Sequence, residues 1–247
     1  MIDTDMADFG TTAPDGLETD SSTMAGLVVA GRYLPLARRG EPSAGDFYDV
    51  VELLPSCYLI AVGDVSGHGP GAAGRMRRLR AAARALAAKH ASVTEMLRRL
   101  DRMQAEGDPD DIATLWLGAY HHETGVLRYA SAGHLPPILA FPEGRTTLLR
   151  EATAPPLGTG LRTLSATHEV MLPMGATLVA YSDGLVERPG CDLDAQLELV
   201  RRIVHTATQG GCGPDEVADA IVAAMVPDSA RARDDVCVVV IRRVPSQ

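Results

Sequence analysis

Several carboxylates stand where short apolar segments of the sequence begin or end. Asp46 precedes the segment FYDVVEL, Asp64 ends CYLIAVGD, and Asp183 ends TLVAYSD. Asp234 and Asp235 together open the last apolar segment, VCVVVIRRV. If these segments are neighbouring strands of one sheet, their ends bring several negative charges to one edge. Such a concentration of like charge is costly unless a cation neutralises it, so the spacing predicts a cation site.

The type of ligand narrows the choice of cation. Carboxylate and carbonyl oxygens without His or Cys favour Mg²⁺ or Mn²⁺ over zinc, and a pair of such ions can activate water and hold phosphate oxygens. Each acidic site also has a simpler interpretation. The Ser-Asp-Gly at 182–184 taken alone is most often a turn. Asp234 and Asp235 alone are most often a strand-capping or solvated charge pair, and Asp46 and Asp49 alone are interpreted as exposed edge residues. These interpretations do not explain why all the sites occur together.

A glycine-rich stretch, GDVSGHGPGAAG at residues 63–74, joins one of these segments to a helix. Its glycines let the backbone approach a ligand closely, and the helix N-terminus that follows favours anions. The stretch lacks the Gly-Lys-Ser/Thr ending of a P-loop and is a poor G-x-G-x-x-G fingerprint. A nucleotide-binding protein is therefore the weaker alternative.

Composition sets the broad class. The chain has 247 residues, 46% of them hydrophobic, which is enough for one large core or two small ones, and a single domain is predicted. A formal net charge of -9 argues against a nucleic-acid or anionic-membrane surface and favours a protein or small-molecule partner. The four cysteines lack C-x-x-C spacing, which predicts reduced thiols in a cytoplasmic protein. Residues 1–23, polar and acidic, are predicted to be a disordered or loosely attached tail.

The pattern of elements indicates an α+β sandwich, because strands come in runs and helices are grouped between them. An amphipathic helix is predicted from Pro70 to about His90, with its apolar face at Met76, Leu79, Ala83 and Leu86. The five arginines on its remaining surface are interpreted as solvated, with contact to an acidic partner as the alternative: Arg75, Arg77, Arg78, Arg80 and Arg84. Further helices are predicted at 92–103, 193–208 and 214–225.

Six motifs occur in a recognisable order: GDFYDV, AVGDVSGHGPGAA, YASAGHLPPIL, PPLG, YSDGLVE and DDVCVVVI. Together they resemble the successive motifs of the SpoIIE/RsbU-type bacterial serine/threonine phosphatases, a branch of the metal-dependent protein phosphatase (PPM) family. The resemblance spans roughly residues 27–243. It implies an α+β fold, a four-layer αββα sandwich with two mainly antiparallel sheets flanked by helices, within a phosphatase domain at 24–247.

The resemblance also implies a ligand set for two divalent cations, Mn²⁺ or Mg²⁺. Asp64 would bridge them, Asp46 and the backbone carbonyl of Val65 would complete one site, and Asp183 and Asp234 would hold the other. The four aspartates are thereby the implied catalytic residues.

Other residues would support this site. Asp235 and Gly67 are implied to act behind the ligands, and Gly184 to let the chain turn away from Asp183. His68 is either a general acid or, as we favour, a cap of the following helix. His134 in AGHLPP is interpreted as a structural residue of a turn. One departure is that Ala44 stands where the family commonly has the first of two glycines.

The implied activity is hydrolysis of phosphoserine or phosphothreonine by a two-metal-activated hydroxide. The implied substrate is a phosphorylated STAS-domain anti-anti-sigma factor, and a homodimer is possible. The alternative is a catalytically silent PPM-fold binding module that sequesters a regulatory partner.

Overall fold

The structure is a computed structural model that describes residues 11–12, 17–35, 45–67, 69–107, 111–159, 166–227 and 234–246. The strands are β1 (Thr11–Thr12), β2 (Glu18–Met24), β3 (Leu27–Leu34), β4 (Asp46–Leu54), β5 (Cys57–Val65), β6 (Ala113–His121), β7 (Val126–Ala132), β8 (Ile138–Ala140), β9 (Thr146–Leu148), β10 (Thr153–Ala154), β11 (His168–Met171), β12 (Thr177–Tyr181) and β13 (Val236–Arg243). The helices are α1 (Gly69–Ala87), α2 (Val93–Ala105), α3 (Leu193–Gln209) and α4 (Pro214–Met225), with a 3-10 turn at Asp183–Leu185.

The chain divides into two compact units. Unit 1 comprises Met1–Leu36, Pro137–Leu149 and Leu172–Gln247, and unit 2 comprises Ala37–Pro136 and Arg150–Met171. Each unit contains one sheet and two of the helices. The predicted α+β class with two mainly antiparallel sheets is confirmed.

Unit 1 holds a seven-stranded sheet in the order β1-β2-β3-β13-β12-β8-β9, and every described pairing in it is antiparallel. Strands β12 and β13 are almost entirely buried, as their runs of Val, Leu and Ile predict. Helix α4 packs against β3 and β13, and α3 packs against β8 and β9. Arg32 of β3 fastens α4, since its buried guanidinium donates to the carboxylates of Asp219 (2.7 Å) and Asp215 (3.0 Å).

Unit 2 holds the sheet β10-β7-β6-β5-β4, with β11 also paired to β7. Its pairings are antiparallel except the short parallel pairing of β10 with β7. Helix α1 packs against β4 and β5, and α2 packs against β6, β7 and α1. A continuous apolar core lies between helices and sheet, with Leu79, Leu97, Leu100, Leu115 and Leu117 fully or almost fully buried.

The sequence patterns located the helices well. The apolar face predicted for α1 is confirmed, because Leu79 and Ala83 are buried while Met76 and Leu86 pack partly buried against the core. The predicted cap of α2 is also present, where the Ser92 hydroxyl accepts the Glu95 backbone N–H at 3.3 Å. The two remaining helices begin at their predicted residues. Among the described helices, none has both the length and the apolar character needed to span a bilayer.

Two predictions require correction. The predicted loose tail at 1–23 includes most of β2, which pairs with β3 over its full length, from Glu18↔Tyr33 to Met24↔Leu27. A polar sequence can form this edge strand because backbone groups supply the pairing. Residues 1–10 and 13–16 of the predicted tail lie outside the described residues, and the domain limits 24–247 stay a prediction.

The second correction concerns the basic face of α1. Arg80 and Arg84 are not simply solvated, since both bind the carboxylate of Asp49 on β4. The Arg84 guanidinium donates to the two Asp49 oxygens at 2.8 Å each, and Arg80 Nε donates at 2.6 Å. The Asp49 side chain is 1% exposed, so the interpretation of Asp49 as an exposed edge residue was also wrong. Arg77 and Arg78 are exposed, as predicted.

Candidate metal centre

The predicted carboxylates lie at the ends of strands, but in two sheets and not in one. Asp46 and Asp64 belong to β4 and β5 of unit 2. Asp183 follows β12, and Asp234 precedes β13, in unit 1.

In unit 2, Asp46 and Asp64 face each other across the β4–β5 hairpin. They are register partners, and a carboxylate oxygen of one lies within 4.8 Å of a carboxylate oxygen of the other. Asp46 is buried and Asp64 is partly buried. Like charges directly opposite in a sheet destabilise the pairing, so this arrangement concentrates a negative charge that a cation would neutralise.

Gly45 makes room for a third oxygen beside this pair. The Val65 N–H donates to the Gly45 carbonyl at 3.2 Å. A Cβ placed on Gly45 would lie 2.7 Å from the Val65 carbonyl oxygen and 2.8 Å from an Asp64 carboxylate oxygen. Of the two positions at which the family commonly has glycine, Gly45 is thus one where no side chain fits, while Ala44 lies outside the described residues.

In unit 1, hydrogen bonds to Ser182 fix the end of β12. The Ser182 N–H donates to the Cys237 carbonyl at 3.0 Å, and the Ser182 hydroxyl accepts the Cys237 N–H at 2.9 Å. Asp183 then begins the 3-10 turn. The Asp183 carbonyl accepts the N–H groups of Val186 and Glu187. The carboxylate at the strand end is therefore held on a short, hydrogen-bonded turn.

Gly184 serves close packing in this turn. A Cβ on Gly184 would lie 2.0 Å from the Asp235 carbonyl oxygen and 3.2 Å from the Asp234 Cβ. Its φ does not lie in the left-handed region, unlike that of Gly190. The expectation that Gly184 is needed to turn the chain is therefore corrected. A glycine is required at this position because the backbone next to Asp234 approaches it closely.

The electrostatics of Asp183 reflect its surroundings. Burial raises the pKa of the Asp183 carboxyl, and the negative charges of Asp234 and Glu187 raise it further. The Asp234 carboxylate accepts the Asp235 N–H at 2.9 Å. Asp235 is buried and accepts the Tyr33 hydroxyl at 3.2 Å, so its side chain is tied to β3.

These groups fit a divalent cation by the chemistry of their donors. Unit 2 offers the Asp46 and Asp64 carboxylates with the Val65 carbonyl, and unit 1 offers Asp183 and Asp234. All of these donors are oxygens, the ligands that Mg²⁺ and Mn²⁺ prefer. Burial, and then the charges of Asp234 and Glu187, raise the pKa of Asp183, and a bound cation would offset both effects by stabilising the ionised carboxylate.

The sequence patterns did not identify two residues that support this region, Arg75 and Asp111. Arg75 of α1 donates to the Ser66 carbonyl at 2.8 Å and forms an ion pair with buried Asp111 at 3.1 Å. The hydrogen bond connects α1 to the segment that follows Asp64, and the ion pair connects α1 to the segment that precedes β6. Nothing local distinguishes Arg75 from the other arginines of α1, because its partner lies 36 positions later in the chain.

The remaining predicted residues are Gly67, His68 and His134. Gly67 has a φ of 95°, a conformation that favours glycine, and His68 lies outside the described residues. His134 Nδ1 lies 2.7 Å from the hydroxyl of Thr114, the register partner of Asp64 in β6. Its backbone N–H and carbonyl both bind the Ser131 hydroxyl, so His134 anchors a turn, consistent with its structural interpretation.

The chain is similar to a known family and to several solved structures. The family profile described as Stage II sporulation protein E (SpoIIE) matches residues 55–244. The crystal structure of the RsbU and RsbW domains of Rv1364c from Mycobacterium tuberculosis is similar, with 29% identity and a TM-score of 0.80. That match covers 90% of this chain and 63% of the other, so this chain spans less than two thirds of that structure.

Two more distant structures share the fold. The PP2C phosphatase domain of SpoIIE from Bacillus subtilis, solved with a fragment of its regulatory domain, is 17% identical with a TM-score of 0.73, and the match covers 95% of this chain and 72% of that one. RsbX, solved in complex with magnesium, is 16% identical with a TM-score of 0.71, and the match covers 91% and 99%.

Proposed function

Because this chain belongs to the SpoIIE family, we propose that it is a metal-dependent protein phosphatase that hydrolyses phosphoserine or phosphothreonine. The observation that carries the proposal is the facing pair Asp46 and Asp64 beside the Val65 carbonyl. Gly45 lies so close to the Asp64 and Val65 oxygens that an added Cβ would overlap them. An oxygen-only donor set of this kind suits a cation that binds phosphate oxygens. The SpoIIE phosphatase domain and magnesium-bound RsbX share the fold.

The proposed ligand set has one contribution from each unit. Asp46, Asp64 and the Val65 carbonyl are proposed ligands from unit 2, and Asp183 and Asp234 are proposed ligands from unit 1. Asp64 is proposed to bridge two cations, Mg²⁺ or Mn²⁺. When bound, such cations supply Lewis acidity for hydrolysis and positive charge for the phosphate oxygens.

The residues of the chain position these donors. Ser182 fastens the strand end that precedes Asp183, through both of its hydrogen bonds to Cys237. Tyr33 holds Asp235, the neighbour of Asp234, by a hydrogen bond to its carboxylate. Arg75 holds the Ser66 carbonyl immediately after Val65. Fixed backbone on both sides of the ligands lowers the cost of ordering them when a cation binds.

We further propose a phosphorylated anti-anti-sigma factor of the STAS type as substrate, in a cytoplasmic setting. The similar structure from Mycobacterium tuberculosis joins RsbU and RsbW domains, which supports a role beside regulatory protein partners. The four cysteines are free thiols, which suits a reducing compartment. A homodimer is compatible with this proposal.

The test is metal-dependent hydrolysis of p-nitrophenyl phosphate and of a phosphoserine peptide, measured with Mn²⁺, Mg²⁺ or EDTA. Asp64→Ala should lower kcat/KM by at least about a hundredfold, because the variant loses the bridging carboxylate. Glu123→Ala, an exposed carboxylate in the β6–β7 turn, is the matched control and should retain wild-type rates.

Either of two results would contradict the proposal. One is Asp64→Ala protein with near-normal turnover. The other is folded wild-type protein without activity toward either substrate in any metal, which would favour a silent binding module with the same fold.

A further inference from the structure

A cavity of about 410 Å³ opens beside Asp183 and Asp234 in unit 1. Its other walls include Val186, Arg188 and Pro189, which follow the 3-10 turn, and Leu193, the first residue of α3. The volume falls within the range typical of small-ligand sites, about 300–1,000 Å³. It is large enough for one or two side chains of a peptide, so it suits part of a larger substrate.

Arg188 is the distinctive group in this cavity. It is partly buried, yet within the described part of the chain its guanidinium has no ion pair or side-chain hydrogen bond. Other buried or partly buried arginines in the described regions have such partners, including Arg32, Arg80 and Arg201. A partly desolvated guanidinium without an internal partner is suited to an anion supplied from outside.

Backbone hydrogen bonds flank Arg188 on both sides. The Glu187 N–H donates to the Asp183 carbonyl at 2.7 Å on one side. On the other side, the Cys191 N–H donates to the Arg188 carbonyl at 3.1 Å, and Gly190 has a φ of 79°. A Pro-Gly pair at 189–190 with this bond has the features of a type II turn. The backbone of Arg188 is therefore restrained by hydrogen bonds on both sides, five residues after Asp183, a proposed metal ligand.

The walls differ in chemistry, which gives the cavity a direction. Asp183 and Asp234 form the part next to the proposed cations, whereas the second part has the apolar Val186, Pro189 and Leu193, the cationic Arg188 and the exposed carboxylate of Glu187. A phosphoserine bound at the cations would place its neighbouring residues close to this second part. The combination of an apolar wall with one cation fits the stem and carboxylate of an acidic side chain.

We infer that this cavity is a specificity subsite, in which Arg188 binds the carboxylate of an acidic residue close to the phosphoserine of the protein substrate. The inference rests on the proposed phosphatase function and adds a substrate preference to it. It names Arg188 as the residue that determines this preference.

The experiment compares phosphoserine peptides that carry Glu, Gln or Lys at one position at a time, from three residues before the phosphoserine to three after it. For the wild-type protein with Mn²⁺, kcat/KM should be about tenfold higher with Glu than with Lys at one or two positions, as expected for a charge-assisted hydrogen bond. Arg188→Glu should reverse that preference at the same positions. Arg202→Glu, the same charge change at an exposed site of α3, should keep the wild-type preference. Circular dichroism and thermal unfolding check that each variant is folded.

Three results would overturn the inference. Wild-type protein that is active without charge preference at any position would remove the subsite and leave the phosphatase proposal standing. An equal loss for Arg188→Glu on all peptides and on p-nitrophenyl phosphate would instead assign Arg188 to the phosphate itself. Absence of metal-dependent hydrolysis of every substrate by the wild type would overturn the proposed function, and the subsite with it.

Discussion

In each unit, a glycine lies in close contact with a backbone carbonyl and with the side chain of a candidate metal ligand. In unit 2, Gly45 lies against the Asp64 carboxylate and the Val65 carbonyl. In unit 1, Gly184 lies against the Asp235 carbonyl and the Asp234 side chain. In both places the glycine is required by contact distance, because an added Cβ would overlap backbone oxygen, which cannot move aside as a flexible side chain can.

Substitution of Gly45 tests this steric requirement. Gly45→Ala should lower metal affinity and kcat/KM by about tenfold or more, since the new methyl group would displace the Val65 carbonyl or the Asp64 carboxylate. Metal titration of activity measures the effect. Gly74→Ala is the matched control, because no atom lies within 4 Å of its added Cβ in α1. That control should leave metal affinity unchanged and stabilise the helix by about 0.5–1 kcal/mol. Equal metal affinity for Gly45→Ala and wild type would contradict the prediction.

Substitution of Asp183 separates metal binding from stability. Its pKa is raised in the folded protein, so without metal the folded state loses stability as the pH rises from 3.8, the ordinary value, through the raised pKa. Asp183→Asn removes this charge and should raise the unfolding temperature of the metal-free protein at pH 7. The same variant should bind Mn²⁺ more weakly, because it lacks an anionic ligand.

Thermal unfolding in EDTA, measured at several pH values, tests the stability half of this prediction. The difference in unfolding temperature between Asp183→Asn and wild type should disappear at low pH, where the wild-type carboxyl is also neutral. A variant less stable than wild type at pH 7 in EDTA, or one with unchanged Mn²⁺ affinity, would contradict the assignment of Asp183.

At the scale of elements, α1 is fastened to the strands that carry Asp46 and Asp64. Arg75 near its beginning binds the Ser66 carbonyl, just after β5. Arg80 and Arg84 further along bind Asp49, three residues after Asp46 on β4. Because Asp49 is almost fully buried, the two arginines supply the hydrogen bonds that its charge needs.

Removal of Asp49 should therefore destabilise the attachment of α1 to β4. Asp49→Ala should lower the free energy of unfolding by about 2 kcal/mol or more, because several charge-assisted hydrogen bonds are lost and two partly buried arginines are left without their partner. Urea unfolding measures the loss. Arg77→Ala, an exposed arginine of the same helix, should change stability by less than about 0.5 kcal/mol. Similar small effects for both variants would show that the ion pairs contribute little.

For the whole molecule, a net charge of -9 and a cluster of carboxylates make cation binding a stabilising event. A ligand that binds only the folded state stabilises it by about 2.7 kcal/mol at a hundred times its Kd. For a chain of this size, that stabilisation corresponds to an increase of about 5–10 °C in Tm.

Saturating Mn²⁺ should thus raise the unfolding temperature by several degrees, and EDTA should reverse the increase. Sodium chloride at matched ionic strength controls for general screening of the negative charge. Asp64→Ala should show little of the Mn²⁺ effect. Equal responses to Mn²⁺ and to sodium chloride in the wild-type protein would contradict a specific site.

Much of this architecture followed from local patterns in the sequence. The helical periodicity of residues 70–86, the cap at Ser92 and the Pro at the start of α4 each depend on residues within one or two turns of one another. The positions of Asp64 and Asp183 at strand ends were likewise evident, because an apolar run and the residue that ends it are adjacent in the chain. Local sequence patterns therefore predicted the helices, many of the strands, the order of the motifs and the identities of the candidate ligands.

Which of these residues come into contact depends on the folded chain. Asp49 became the buried partner of two arginines more than 30 positions away, Arg75 was distinguished from its neighbours on α1, and the polar segment before Met24 became a strand by pairing with β3. Gly184 is required by an oxygen 51 positions later in the chain. Periodicity carries no information about such partners, because ion pairs, edge pairing and close backbone contacts depend on distances that only the folded chain defines.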